Sequence, residues 1–313
     1  MKRLQYGSRT MQGHVASQGA ATAIGFVAVV FWSALALLTK MAGNIPPFQL
    51  LFLSFFVAFI FSIMIIAWRG NRLVKIFRQP IQVWLFSFAA IFIYHALYFF
   101  ALQNAPPAEA SLLAYLWPLL IVIFSIFLER KAFHAKHLIG ALLGFGGCAV
   151  AILGQSSSLN KISNYSGYIA ALLCALVWST YSVINRRFSD VPSEIIGGVC
   201  GLVAIAALPF HLATENAVYP TMREWIAIII LGFGPTGLAF FAWDYATKWG
   251  HLPTIGALSY LAPLFSTLLL IAAGWTAPRW TVVAATLLTV GGAVIATFDH
   301  RKVFSGKFNR DGV

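Results

Sequence analysis

The spacing of charge along this chain limits its fold more than any other feature. Cutting the 313 residues at every Asp, Glu, Lys and Arg leaves ten uncharged stretches of at least 19 residues, and about 20 apolar residues make one helical bilayer crossing. Only 10% of the residues are charged and 60% are apolar or aromatic, against about 25% and roughly 45–50% in soluble domains. A water-facing shell cannot be built from that supply. Lipid gives an unpaired amide no partner, and barrel strands would alternate polar with apolar residues, which these stretches do not. The sequence therefore predicts an all-α polytopic membrane protein with ten transmembrane helices, near 20–39, 47–68, 81–104, 109–128, 137–154, 166–186, 193–213, 224–246, 253–274 and 279–298.

Of the 21 basic residues, 17 fall in the two tails and the loops on their side of the membrane; only Lys40, Lys161, Arg223 and Arg279 fall opposite. By the positive-inside rule both termini are cytoplasmic. This topology also accounts for the net charge of +12, because the charges are scattered over short loops with no folded basic module to grip nucleic acid. Residues 1–19 are polar and lack the h-region of a signal peptide, so the first helix is expected to be retained. Cys148, Cys174 and Cys200 all lie in apolar stretches, where a thiol acts as a small hydrophobe.

The chain repeats itself. Phe31-Trp32-Ser33 precedes Val177-Trp178-Ser179 by 146 residues, as Lys40 precedes Arg186. Tyr115-Leu116-Trp117-Pro118-Leu119 precedes Tyr260-Leu261-Ala262-Pro263-Leu264 by 145, as Gly146-Gly147 precedes Gly291-Gly292. These landmarks divide the chain into a tail (1–19), a five-helix repeat (20–154), a linker (155–165), a second five-helix repeat (166–298) and a tail (299–313). Five is odd, so the second repeat enters from the opposite face. Inverted-topology repeats are the sequence mark of secondary transporters, whose central site faces each side in turn.

The Phe/Val-Trp-Ser and Tyr-Leu-x-Pro-Leu elements, each present twice, resemble those of the EamA-type branch of the drug/metabolite transporter superfamily. Within it, Tyr94-His95, Tyr98 and Tyr115-Leu116-Trp117-Pro118 are similar to elements of the bacterial aromatic amino acid exporters. The resemblance implies a ten-helix carrier of the bacterial inner membrane, with a central cavity and efflux of phenylalanine, tyrosine, tryptophan or related metabolites. Another amino acid, a drug-like cation or a nucleoside-type solute is the alternative cargo.

The residues point the same way on their own chemistry. Tyr94 and Tyr98 share a helix face at i, i+4, with His95 beside them. Tyr115 and Trp117 precede Pro118, and Ser259 and Tyr260 precede Pro263; each proline removes a backbone hydrogen bond and should bend its helix. Trp32 and Trp178 bring indole donors from the first and sixth helices, and Asn185 ends the sixth. Aromatic faces carrying hydroxyl, imidazole and indole groups suit a zwitterion with an aromatic side chain. Candidate substrate-binding residues are thus Tyr94, His95, Tyr98, Tyr115, Trp117, Trp178 and Ser259, then Trp32, Asn185 and Tyr260. Trp68, Trp84, Trp225, Trp249 and Trp280, near helix ends, read as interfacial belt residues. Asp244 is expected to pair with Lys248 four residues on.

No His-Glu-x-x-His, Gly-x-Ser-x-Gly or Walker A element is present, so no metal, cofactor or catalytic residue is assigned and an intramembrane enzyme is the less favoured class. The partners expected are a small-molecule substrate and the lipid bilayer, with no nucleic acid and no obligatory protein partner.

Overall fold

The computed structural model describes residues 17–68, 78–105, 107–129, 134–153, 165–275 and 277–297. The sequence assignments for residues 1–16 of the first tail, most of the 155–165 linker and the 299–313 tail lie outside the described residues.

The described chain is all helical. We label the helices α1 (Gln18–Ser33 continuing as Leu35–Met41), α2 (Pro47–Trp68), α3 (Ile81–Asn104), α4 (Pro107–Ala114 continuing as Trp117–Glu129) and α5 (Ala135–Leu153). They continue as α6 (Tyr165–Ile184 with a 3-10 turn at Asn185–Phe188), α7 (Ile195–Thr214) and α8 (Met222–Phe233, a π turn at Gly234–Leu238, then Ala239–Trp249). The last two are α9 (Leu252–Ser259 continuing as Leu261–Ala272) and α10 (Trp280–Thr297). Each helix sits within a few residues of a stretch expected from charge spacing. Among the described residues, eight are long and apolar enough to cross a membrane; α5 and α10 are apolar but shorter.

The main packing partners are α5 with α10, α2 with α7, α3 with α6 and α1 with α8. Moving each helix five places along leaves this list unchanged: α1 on α8 becomes α6 on α3, and the other two pairs map onto themselves. The contact of α4 with α6 likewise becomes that of α9 with α1, and both are present. Glycines set the closest approaches. An ideal Cβ at Gly140 of α5 would fall 2.6 Å from the Gly292 carbonyl oxygen of α10, and one at Gly197 of α7 would fall 2.6 Å from the Cβ of Ser62 on α2. Backbones this near gain dispersion contacts in lipid, which supplies no hydrophobic drive between helices.

Trp84 departs from the interfacial expectation. Only 8% exposed, its ring fills the space that a side chain at Gly198 of α7 would need. Trp68 and Trp280, at 87% and 77%, are exposed.

The connection from α7 to α8 is tied down by Glu215. Its two carboxylate oxygens accept the Phe48 and Gln49 amides at 2.9 and 3.0 Å, in the first turn of α2, and His211 Nδ1 lies 3.0 Å from Oε2. Gln49 adds a reciprocal pair with Val218, donating from Nε2 to its carbonyl and accepting its amide at Oε1. A carboxylate here caps orphan amides and complements the helix dipole. Glu215→Ala should lower stability by about 1–2 kcal/mol, measured as thermal unfolding in detergent, while Glu215→Gln keeps one acceptor and should lose less.

Candidate substrate site

Where the two sets of helices meet, aromatic rings converge. Trp32 of α1 contacts Trp178 of α6 at 5.7 Å between ring centroids, Trp243 of α8 at 5.0 Å and Trp117 of α4 at 6.3 Å. Trp243 in turn contacts Trp117 at 5.4 Å and Trp178 at 6.2 Å. Several of these pairs are near perpendicular, with 87° between Trp32 and Trp117 and again between Trp117 and Trp243, the arrangement that sets a positive ring edge against a negative ring face. Two further rings follow the repeat: Tyr94 of α3 lies 5.7 Å from Trp178, and Phe240 of α8 lies 5.7 Å from Trp32.

The indole donors are spoken for by irregular backbone and a serine. Trp32 Nε1 donates to the Pro235 carbonyl in the π turn of α8 at 3.1 Å. Trp243 Nε1 donates to Ser182 Oγ at 3.0 Å, and Ser182 donates on to the Trp178 carbonyl at 2.8 Å. Trp243 is fully buried.

The rings that α3 contributes are only half-buried. Tyr94 stacks on Tyr98 at 6.1 Å with 14° between planes, and the Tyr98 hydroxyl shares a 3.0 Å hydrogen bond with Ser111 of α4. His95 stands 5.5 Å from Tyr94 and 5.4 Å from Phe55 of α2. Its Nδ1 donates to the Ile91 carbonyl at 2.7 Å. A carbonyl only accepts, so this nitrogen carries the proton and a neutral ring offers Nε2 as an acceptor.

The structure thus brings Trp32, Tyr94, His95, Tyr98, Trp117 and Trp178 together, with Phe240 and Trp243, which sequence reasoning did not single out. Both lie in an uninterrupted apolar run, and only the contact of α8 with α1 selects them. Tyr115 is half-buried and packs with Tyr260 in a separate cluster that includes Phe145, Val122 and Cys148. Tyr260 is fully buried, and its hydroxyl accepts the Leu119 amide at 3.1 Å. That amide follows Pro118, where α4 is broken at Tyr115 and Leu116; α9 is likewise broken at Tyr260, ahead of Pro263. Ser259 is fully buried and donates to the Ile255 carbonyl of its own helix at 2.7 Å.

Asn185 belongs to a buried polar network at one end of the bundle. Its Nδ2 donates to Asp244 Oδ1 at 3.0 Å and to Thr247 Oγ1 at 2.9 Å. Lys248 meets Asp244 Oδ2 at 2.7 Å, as the i, i+4 spacing predicts, and also donates to the Val191 carbonyl at 2.9 Å. Removing one member of such a pair is costly, because the other charge stays buried without compensation.

An all-helical chain with eight helices long and apolar enough to cross a membrane among the described residues, and an aromatic cluster between its two halves, has the form of a polytopic membrane protein. The comparisons bear this out. The profile of the EamA-like transporter family matches twice, over residues 20–153 and 165–298, and the chain belongs to that family. It is 44% identical over 287 residues to a protein of Ancylobacter novellus named aromatic amino acid exporter YddG, covering 91% of this chain and 100% of that one. The YddG exporter of Salmonella typhimurium is 25% identical over 51% of this chain and 57% of its own, and the pseudopaline exporter CntI of Pseudomonas aeruginosa is 24% identical over 83% and 87%. A solved crystal structure that is 43% identical superposes with a TM-score of 0.87, covering 92% of this chain and 99% of that one.

Ser182→Ala should strand the buried Trp243 indole donor and destabilise the protein by about 1–3 kcal/mol. Thermal unfolding in detergent measures it, and Ser182→Thr, which keeps the hydroxyl, should stay near the parent.

Proposed function

We propose that this protein is a ten-helix secondary carrier of the bacterial inner membrane that exports aromatic amino acids by alternating access. Its two five-helix units, 20–154 and 166–298, lie in opposite orientations, with both termini in the cytoplasm. The repeat landmarks, the packing that maps onto itself after a shift of five helices, and the 17-to-4 division of basic residues all support this arrangement. The relatives named as aromatic amino acid exporters support the cargo.

One observation carries the reading: the indoles of Trp32, Trp117, Trp178 and Trp243 meet where the two units join, beside the half-buried Tyr94, His95 and Tyr98. An aromatic side chain entering from the tyrosine side finds ring faces and edges, each contact worth about 0.5–1.5 kcal/mol beyond area burial. His95 Nε2 and the phenols are placed to hydrogen-bond the ammonium and carboxylate groups. The Asp244–Lys248 pair is satisfied internally, so among the described residues no unpaired buried Asp, Glu, Lys or Arg waits for the zwitterion. The affinity that follows is modest, as a carrier that must release its cargo requires. Trp117 has Ala262 as its repeat counterpart, which concentrates ring recognition on the first unit.

Purified protein in liposomes should support saturable counterflow of labelled tryptophan, competed by phenylalanine and tyrosine. Trp117→Ala or Trp178→Ala should cut that counterflow at least about tenfold, the loss of one or two aromatic contacts, at unchanged membrane insertion. Normal counterflow by both variants at equal expression would make these rings packing residues. Competition by unrelated solutes alone would assign another cargo.

A further inference from the structure

We propose, resting on the carrier reading above, that Arg186 and Lys40 are equivalent latches that close opposite ends of the transport path in alternation. Arg186 is latched in this structure. Its Nε donates to the Thr247 carbonyl at 3.3 Å, and an Nη donates to the Gly250 carbonyl. The Thr247 carbonyl lies in the last turn of α8 and that of Gly250 on the residue that caps it, where helix geometry supplies no donor; the amide that would have reached Thr247, that of His251, donates to Thr22 Oγ1 at 2.9 Å instead. A guanidinium satisfies these carbonyls and complements the dipole. Around it Asn185, Asp244, Thr247 and Lys248 are buried. This end is shut.

The other end carries the same parts unassembled. Lys40 precedes Arg186 by 146 residues and closes α1 as Arg186 closes α6. The ends of α3 and α8 correspond through their caps: the Ala105 amide bonds Ala101 at 2.9 Å, and the Gly250 amide bonds Ala246 at 2.7 Å. The carbonyls equivalent to those of Thr247 and Gly250 are therefore those of Leu102 and Ala105, both half-buried. Lys40 is exposed and holds its ammonium 5.3 Å from the Trp275 ring centroid instead. In the alternate state Arg186 releases α8, and Lys40 leaves Trp275 to cap α3 through Leu102 and Ala105. One kind of cation-to-carbonyl contact is exchanged for another, which keeps the two states close in energy. In the same register the positions equivalent to Asp244 and Lys248 are Phe99 and Gln103, both uncharged. The Arg186 end therefore has the additional ion pair, and its closed form is the resting state.

The test uses the full chain in lipid nanodiscs, with the three buried cysteines replaced by alanine and spin labels at Thr39→Cys and Gln103→Cys, both exposed sites. Arg186→Gln should raise a short-distance population across the Lys40 end about tenfold. Adding Lys40→Gln to that variant should remove it, and Arg186→Lys should return the parent distribution. An Arg186→Gln distribution equal to the parent, a short population that survives Lys40→Gln, or Arg186→Lys behaving like Arg186→Gln would each overturn the latch. Tryptophan counterflow by the unsubstituted protein is read separately: its absence counts against the carrier reading, whereas its presence beside unmoved distances counts against the latch alone.

Discussion

A bilayer gives no hydrogen-bond partner to a broken helix, and several polar contacts between the described helices answer that constraint. Where α4 breaks ahead of Pro118, the Leu119 amide finds the Tyr260 hydroxyl on α9. Where α8 opens into a π turn, the Pro235 carbonyl takes the Trp32 indole, while Thr236 Oγ donates to the Leu231 carbonyl at 2.9 Å. Glu215 caps the start of α2 and Arg186 the end of α8. Apart from Thr236, which bonds within α8, each of these helix breaks or ends recruits a side chain from another part of the chain, so the breaks also fix which helices meet.

The tryptophan cluster depends on two of these repairs. Trp32 is oriented by the π turn and Trp243 by Ser182, and the rings then fill the space between α1, α4, α6 and α8. The ring pairs Tyr94–Trp178 and Phe240–Trp32 preserve the twofold relation of the halves. Trp117, without an indole counterpart at Ala262, breaks it. The ion pair of Asp244 with Lys248 breaks it again at one end. Such departures are where the two halves make different contacts.

Much of this was legible in the sequence because helix placement in a membrane is a local property of hydropathy and charge. The repeat was legible because Trp-Ser and Tyr-Leu-x-Pro-Leu recur in one register. Trp32, Tyr94, His95, Tyr98, Trp117 and Trp178 were identifiable as aromatic or titratable groups away from helix ends. Tyr115 and Tyr260 were indistinguishable from them by that criterion, and only the packing of α9 on α4 and α5 turns Tyr260 into a backbone partner. Phe240 and Trp243 went unmarked because an apolar run does not say which of its faces meets another helix. Trp84 was misjudged from its place near a helix end, since the slot that receives it exists only where Gly198 of α7 passes.

The central claim is that two similar five-helix units lie in opposite orientations around the aromatic cluster. Cysteine-accessibility labelling in intact cells tests it most directly, with single cysteines placed in the 69–80, 129–136, 155–165 and 214–222 connections. The account predicts that the first two are shielded from impermeant reagent and the last two react. Reaction of all four from the same side would contradict it.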